Sequence, residues 1–224
     1  MDIVENYRSV LSRLPADVKL ICVSKNHPAS DIQLTYNAGQ RIFGENKVQE
    51  LVQKQEHLPK DIEWHLIGHL QTNKVKYIAS FVSLIHSVDS FKLLAEINKQ
   101  AVACGRIIDC LLQFHIAGEE TKFGLSYPEA VELLSYPSFP EMKNIKIRGV
   151  MGMATFTDDE SLVKAEFKEL HAIFERLKME FFSHAEGFTE ISMGMSDDFQ
   201  LAIEEGSTMV RIGTVIFGQR NYTT

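Results

Sequence analysis

The sequence predicts an α/β protein: a closed (β/α)8 TIM barrel in one domain, with an extra helix at its N-terminus. Three observations support this fold class. The chain has 224 residues, a length at which α/β barrels commonly form one domain. Short β-branched runs alternate with longer stretches of helical periodicity, which is typical of repeated βα units. Eight such runs can be counted, the number that a TIM barrel requires.

The predicted strands are apolar runs of the length that suits a strand buried on both faces. In chain order they are residues 19–24, 41–44, 63–68, 84–87, 107–116, 145–153, 189–193 and 209–218. Between them lie segments in which apolar residues recur every three or four positions, as in helices with one buried face. These predicted helices are 4–11, 47–55, 91–104, 128–134, 162–182 and 198–205. No Pro/Gly/Ser-rich linker separates them, so we predict one domain over residues 1–224.

The main alternative fold is an open, doubly wound sheet of the Rossmann type. Such a sheet binds dinucleotides at a G-x-G-x-x-G turn after an early strand. Here the first predicted strand is followed by Lys25-Asn26-His27-Pro28, and the fingerprint is missing. The closed barrel is therefore favoured.

Composition excludes several classes of partner. A net charge of -7 and a pI near 5.6 argue against a broad nucleic-acid surface, which needs clustered lysine and arginine. The cysteines, Cys22, Cys104 and Cys110, are odd in number and lack metal-ligand spacing, which favours reduced thiols. No basic and apolar leader is present, and no apolar run reaches the roughly 20 residues that span a membrane. We expect a monomeric cytoplasmic protein.

Lys25 is the first candidate functional residue. It follows the apolar run 20–23, which would place its amine over the mouth of the barrel, where TIM barrels carry their functional groups. Desolvation there lowers the pKa of a lysine and leaves a nucleophile that can form an imine. A solvated lysine at a strand end is the alternative, and position alone does not separate the two.

The last two βα units predict a phosphate site, because barrels frequently bind phosphate in the loops after strands seven and eight. The first loop, 192–198, contains Ser192, Gly194, Met195 and Ser196 just before a helix, where backbone N–H groups favour an anion. Ser196 could also be a simple N-cap. In the second loop, Gly213 and Thr214 offer a backbone N–H and a hydroxyl.

Arg211 interrupts the apolar eighth strand. A buried guanidinium is costly unless acceptors surround it, so Arg211 needs a partner. An ion pair with Glu190 and a contact with a ligand both explain its position.

A set of motifs spread along the chain resembles the YggS/PROSC family of pyridoxal phosphate homeostasis proteins. The motifs are Val23-Ser24-Lys25, Phe43-Gly44-Glu45-Asn46, His65-Leu66-Ile67-Gly68-His69-Leu70-Gln71-x-Asn73-Lys74, Lys122-Phe123-Gly124, Gly149-Val150-Met151-x-Met153, Ser192-Met193-Gly194-Met195-Ser196 and Arg211-Ile212-Gly213-Thr214-x-Ile216-Phe217-Gly218. They occur in the family's order, and their combination is far more specific than any one of them.

The resemblance implies a fold-type III barrel similar to the N-terminal domain of alanine racemase, with pyridoxal 5'-phosphate (PLP) as the cofactor. It implies an internal aldimine on Lys25 and places Asn46 beside the cofactor. It also implies that the 192–196 loop, Gly213 and Thr214 surround the phosphate, and that Arg211 lies at the pyridine nitrogen. The implied function is to hold PLP and buffer or deliver it, with apo PLP-dependent enzymes as candidate partners.

Other residues were assigned on residue chemistry alone. His65, with Trp64, is predicted to line the barrel mouth beside the cofactor, and Met151, with Met153, Met193 and Met195, to pack around its flat ring. The spacing of His65 and His69 does not match a helical zinc site, so we predict no metal. The pairs Glu119-Glu120, Asp158-Asp159 and Asp197-Asp198 are expected to be solvated, because adjacent side chains point apart.

Carrying the cofactor is favoured over turnover. Arg211 cannot lose its proton and favours an unprotonated pyridine nitrogen, which weakens the ring as an electron sink. Alanine racemases also use a tyrosine from a C-terminal β domain, for which this chain has no room. A PLP-dependent racemase of low activity and a class I aldolase remain the alternatives.

Overall fold

The computed structural model describes residues 2–118 and 123–219. The assignments made to Glu119, Glu120 and Lys122 lie outside these residues. Within them, no helix is both long enough and apolar enough to cross a membrane. Cys22 and Cys110 are buried free thiols, whereas Cys104 is an exposed one.

Eight parallel strands form a closed barrel in sequential order, and β8 pairs with β1 to complete it. The strands are β1 Lys19–Val23, β2 Ile42–Glu45, β3 Glu63–Leu66, β4 Leu84–Val88, β5 Ile108–Gln113, β6 Ile145–Met151, β7 Glu190–Ser192 and β8 Met209–Ile212. Helices cover their outer face, so both faces of each strand are buried and its sequence is almost continuously apolar. The predicted TIM barrel is confirmed.

The helices are α1 Ile3–Leu11, α2 Ala29–Asn37, α3 Val48–His57, α4 Phe91–Ala103, α5 Tyr127–Leu134, α6 Glu160–Glu180, α7 Phe199–Glu204 and α8 Thr214–Phe217, with short 3-10 turns at Thr72–Tyr77 and Phe139–Glu141. Several begin at the caps that their sequences provide. Asp2 caps α1, and Ser126 forms a capping box with Glu129 at the start of α5. The extra N-terminal helix is confirmed, since α1 precedes β1.

The prediction that the eighth strand runs over 209–218 is wrong. The strand ends at Ile212, and Thr214–Phe217 forms α8. A continuous β-branched and aromatic run does not distinguish a strand from a buried helix. Here tertiary packing decides, because α8 packs against α1, and Asn6 Nδ2 donates to the Ile216 carbonyl at 3.2 Å.

The core has two parts separated by the barrel wall. The larger part fills the space between strands and helices and includes Phe43, Trp64 and Phe167. The smaller part lies inside the barrel: Ile21, Leu84, Leu111, Met151 and Met209 form an inner plug. Such layers make the interior of a TIM barrel a packed core, which leaves the carboxyl end of the strands for a binding site.

Candidate functional site

A pocket of about 250 Å³ opens at the carboxyl end of the barrel. It is lined by residues at the ends of, or just after, β1, β2, β3, β6, β7 and β8. Seven residues that the sequence analysis assigned to a site line it: Lys25, Asn46, Met195, Ser196, Arg211, Gly213 and Thr214. The structure therefore brings together residues that are up to 189 positions apart along the chain (25 to 214).

Met153, which was expected to pack around the cofactor ring, also lines this pocket, and so do five residues to which the sequence analysis gave no cofactor role: Val23, His27, Ile67, Phe156 and Asp197. Each lies at the end of a strand or in the loop that follows it, and this position was the signal that could have identified them. Phe156 is 83 % exposed, which is unusual for a large aromatic side chain. It forms part of the rim of the pocket.

Lys25 enters the pocket because side chains alternate along β1. Ile21 and Val23 face the interior of the barrel, whereas Cys22 packs into the core between strands and helices. Ser24 continues this alternation and contacts Glu45 outside the wall. Lys25 is the next residue and lines the pocket.

Two glycines let the loops after β7 and β8 come close to their neighbours. Gly194 has a φ of 92°, and a Cβ there would lie 2.6 Å from the Cβ of Ala202. A Cβ on Gly213 would lie 2.8 Å from the Val23 carbonyl oxygen. The Gly213 N–H donates to Ser196 Oγ at 3.4 Å, which joins the two loops. Backbone N–H groups and hydroxyls suited to an anion thus meet at one end of the pocket.

Arg211 is buried in the barrel interior, where it is 4 % exposed. Its Nη1 donates to Ser192 Oγ at 2.6 Å, and its Nη2 donates to the Gly152 carbonyl at 3.0 Å. Burial lowers the pKa of Arg211 to about 10, and the carboxylate of Asp198 opposes this shift. The guanidinium therefore remains charged at neutral pH and is held rigidly.

The alternative explanation of Arg211, an ion pair with Glu190, is wrong. Glu190 instead pairs with Lys19 and accepts a hydrogen bond from Thr208 Oγ1 at 2.9 Å. These groups lie at the amino end of the barrel, where Lys19, Glu190 and Arg148 line a separate cavity of about 310 Å³.

The prediction that His65 and Trp64 line the barrel mouth is also wrong. Trp64 packs against Phe43 outside the barrel wall. His65 lines the cavity at the amino end, and its Nδ1 lies 3.0 Å from His86 Nε2. His65 therefore does not line the pocket and is connected to it indirectly, by hydrogen bonds. Its pKa is lowered to about 3, first by burial and then by the charge of Lys19.

His86 is the residue that connects His65 to the pocket, and sequence analysis missed it. Its Nδ1 lies 3.0 Å from Ser192 Oγ, which accepts from Arg211. Burial lowers its pKa well below the usual range, and His65 and Arg211 lower it further. A histidine in the mostly apolar strand β4 was the available signal, since a buried polar group needs partners.

Three other assigned residues lie beneath or behind the pocket instead of lining it. Met151 belongs to the inner plug, and Met153, two residues later, reaches the pocket. Ser192 holds Arg211 from below. Gly194 permits the close packing of the loop against α7. These three residues support the site, and Met151 lies in the plug, outside the set of residues that line the pocket.

In residues 2–118 and 123–219, no group of three histidine, cysteine or acidic side chains is arranged to hold a metal ion. His65 and His69 have different neighbours. His65 contacts His86, whereas the His69 ring stacks on Phe123 with centroids 4.1 Å apart and lies near Asp89.

Comparison with known proteins places this geometry in a family. Residues 2–221 match the family model described as alanine racemase, N-terminal domain. The pyridoxal phosphate homeostasis protein of Aquifex aeolicus strain VF5 is 42% identical over 205 residues, which cover 91% of this chain and 88% of the relative. Both matches extend over nearly the whole chain.

Solved structures agree. PipY of Synechococcus elongatus PCC7942, solved with PLP bound, has a TM-score of 0.87 and 38% identity and covers 97% of this chain and 100% of its own. Alanine racemase of Clostridium difficile 630, at 13% identity, shares the fold alone, with a TM-score of 0.74 over 99% of this chain and 57% of its own. The chain therefore belongs to the alanine racemase N-terminal domain family and, within it, to the pyridoxal phosphate homeostasis proteins.

Proposed function

We propose that this protein binds PLP in the pocket at the carboxyl end of the barrel, holds it through an imine with Lys25 and serves in PLP homeostasis by buffering or delivering it. One observation carries the proposal. A lysine amine, a buried guanidinium and a group of N–H and hydroxyl donors line the same pocket. The relatives named for PLP homeostasis and the PLP-bound PipY structure support this ligand.

The residues of the pocket fit the three polar parts of PLP. Ser196, Gly213 and Thr214 would hold the phosphate, because they offer hydroxyl and backbone N–H donors where glycine leaves room. Arg211 would lie at the pyridine nitrogen, and Asn46 would lie beside the ring. When bound, PLP supplies an aldehyde that bonds to an amine and a ring that withdraws electrons.

Arg211 supports holding the cofactor over turning over a substrate. Ser192 and Gly152 accept hydrogen bonds from the guanidinium, so it stays charged and donates only. It would therefore leave a pyridine nitrogen unprotonated, which weakens electron withdrawal by the ring.

The few titratable side chains in the pocket also support holding the cofactor over turning over a substrate. Racemisation needs a second acid or base besides the lysine. Among the described residues that line the pocket, the other titratable side chains are His27, Asp197 and Arg211. The His27 ring lies 3.5 Å from an Asp31 carboxylate oxygen and packs on Phe217, which holds it at the edge of the pocket.

The proposal also covers the domain organisation, oligomeric state, location and partners of the protein. We propose that residues 1–224 form one domain, that the protein is a monomer of the cytoplasm, and that apo PLP-dependent enzymes receive the cofactor from it. The net charge of -7 supports a partner other than nucleic acid. Size-exclusion chromatography with light scattering tests the monomer.

The test of the central claim is covalent capture at Lys25. Wild type incubated with PLP should show the visible absorption band of the lysine-bound cofactor, and borohydride should add the mass of a reduced pyridoxyl phosphate at Lys25. Lys25→Ala should show neither, whereas Lys99→Ala, which changes an exposed lysine on α4, should match wild type. A wild type that binds PLP without a stable adduct at Lys25 would overturn the attachment.

Turnover is tested separately. Exchange of the α-proton of amino acids with deuterium oxide, followed by NMR, should be no faster with the loaded protein than with PLP alone. Exchange well above that of PLP would make the protein a racemase-like enzyme. A colourless protein that borohydride traps only with a carbonyl substrate would indicate an aldolase instead.

A further inference from the structure

A buried charged cluster lies outside the barrel wall, directly behind Lys25. It consists of Lys54 and Glu50 on α3, Glu45 at the end of β2 and Ser24 just after β1, and it is called the Lys54 cluster below. Lys54 is 7 % exposed and Glu45 is fully buried. Lys54 Nζ lies 2.7 Å from an oxygen of each of the two glutamates.

The Lys54 cluster holds the backbone on both sides of Lys25. Before Lys25, Lys54 Nζ donates to the Ser24 carbonyl at 2.6 Å, and Ser24 Oγ donates to Glu45 Oε1 at 2.6 Å. After it, the Asn26 N–H donates to Glu50 Oε1 at 2.6 Å. The residue that lines the pocket is therefore flanked by two anchored peptide groups.

The backbone next to Lys25 also has an unusual conformation. Asn26 has a φ of 63°, and among the described residues it is the one non-glycine residue with a positive φ. This left-handed conformation is unfavourable for a side chain and persists where the surroundings impose it. The hydrogen bond from the Asn26 N–H to Glu50 helps to hold this conformation here. Because β1 ends at Val23, these hydrogen bonds hold the backbone around Lys25 where the strand no longer does.

Attachment of α3 to the barrel does not require these charges. Val48 and Leu51 already bury apolar side chains of this helix against the core. In the Lys54 cluster two carboxylates share one ammonium, and Glu45 Oε2 is buried without a hydrogen-bond partner among the described residues. Such an arrangement is a poor source of stability compared with apolar packing. Its location on both flanks of Lys25 points to a role in placing that residue.

We propose that Lys54, with Glu45 and Glu50, is a set of positioning residues that direct the amine of Lys25 into the pocket for bonding to PLP. The inference rests on the proposed attachment of PLP to Lys25. The three residues lie behind the barrel wall, outside the set that lines the pocket. Their effect should therefore be on covalent attachment and not on recognition of the phosphate or the ring.

Two ligands separate these effects. PLP can bond to Lys25, whereas pyridoxamine 5'-phosphate has an amine in place of the aldehyde and binds without such a bond. Lys54→Met should slow the appearance of the lysine-bound band of PLP on the order of 10- to 100-fold, as expected when a reacting group is misplaced. Its dissociation constant for pyridoxamine 5'-phosphate should stay within about twofold of wild type, since the pocket is intact. Lys99→Met is the matched control.

A second variant covers the case in which Lys54→Met does not fold. Glu50→Gln keeps the size of the side chain and weakens its hold on Asn26, and it should slow attachment in the same way, whereas Glu56→Gln, on the exposed face of α3, should not. Equal loss of both ligands in a folded variant would indicate general damage and overturn the inference. Wild-type attachment rates in both variants would also overturn it. Failure of wild type to attach PLP at Lys25 would instead overturn the proposed function.

Discussion

Arg211 can only donate hydrogen bonds, and this determines which atoms of Ser192, His86 and His65 carry protons. Ser192 Oγ accepts from Arg211, so the serine hydroxyl donates to His86 Nδ1. His86 then carries its proton on Nε2 and donates to His65 Nδ1. Both histidines must be neutral for this chain of donors to hold. Their lowered pKa values, caused by burial, agree with that state.

At the same scale, Glu45 should make stability depend on pH. Burial raises its pKa to about 7, while Lys54 and the Ser24 hydroxyl oppose the shift and the charge of Glu50 adds to it. A glutamate in an unfolded chain titrates near about 4.3. The folded state therefore binds the extra proton between these values. The stability that Glu45 contributes is complete below about pH 4.3 and is lost as the pH rises through about 7.

Glu45→Gln removes this titration. The free energy of unfolding of the variant minus that of wild type should increase by about 2 to 3 kcal/mol when the pH is raised from about 5 to about 8. Urea unfolding at both pH values measures the difference, and Glu56→Gln provides an exposed control on the same chain. A gap between variant and wild type that does not change with pH would contradict the raised pKa.

At the scale of elements, α6 organises the rim of the pocket through one buried carboxylate. Glu166 accepts from the Thr155 N–H at 2.6 Å, from Thr155 Oγ1 at 2.7 Å and from the Gly118 N–H at 3.3 Å. It thereby joins the loops that follow β5 and β6. Phe156, the exposed aromatic residue of the rim, is the next residue after Thr155.

Glu166→Gln should loosen this rim. A glutamine amide lacks the charge and one of the two acceptor oxygens, and hydrogen bonds to charged groups contribute about 1.5 to 3 kcal/mol. Weaker hydrogen bonds to Thr155 should leave the neighbouring Phe156 less firmly held, so PLP should dissociate about three to ten times faster than from wild type. Stopped-flow transfer of PLP to an excess of an apo enzyme measures release. Glu169→Gln, on the exposed face of α6, should release PLP at the wild-type rate.

The helices and strands were largely predictable from the sequence. The position of an inward-facing side chain along the barrel axis was not. Alternation along a strand shows which residues face inward. The level that a residue occupies also depends on the tilt and stagger of the strands. Val23 and His65 are aligned through Gly44, yet Val23 lines the pocket and His65 lines the cavity at the other end.

Local sequence patterns also could not place the methionines along the barrel axis or predict the last helix. Met151 and Met153 face the same side of β6 and its extension, but one belongs to the plug and the other to the pocket. Lys25, Ser196 and Gly213 were predictable because the loop that follows each strand lies at the mouth in any TIM barrel. Helix α8 was not, because its packing on α1 lies outside any local pattern.

At the scale of the molecule, the barrel has two cavities joined by buried polar groups. The pocket at the carboxyl end contains Arg211, and the cavity at the amino end contains His65. Ser192 and His86 connect them through the interior, beside the apolar plug. Because the connecting groups are neutral and fully enclosed, the fold depends on their staying unprotonated.

Protonation of the two histidines in acid should therefore destabilise the barrel. Histidines of an unfolded chain titrate near about 6.5, whereas the pKa of His65 is about 3 and that of His86 is also lowered. Their contribution to stability is complete above about pH 6.5 and is lost as the pH falls below it. At about pH 5.5 the loss is about 1.4 kcal/mol for His65, and His86 adds a loss of the same sign.

His86→Gln should reduce this loss, because glutamine can both donate and accept a hydrogen bond but takes up no proton. Between about pH 7.5 and about pH 5.5, the free energy of unfolding of the variant should fall by less than that of wild type. The contribution of Glu45 has the opposite sign, but it is common to both proteins and cancels when they are compared at each pH. His184→Gln, at an exposed position, should follow the wild-type pH profile. Parallel profiles for His86→Gln and wild type in urea unfolding would mean that folding leaves the pKa of His86 unchanged, which the hydrogen bond from Arg211 to Ser192 and the enclosure of the ring both oppose.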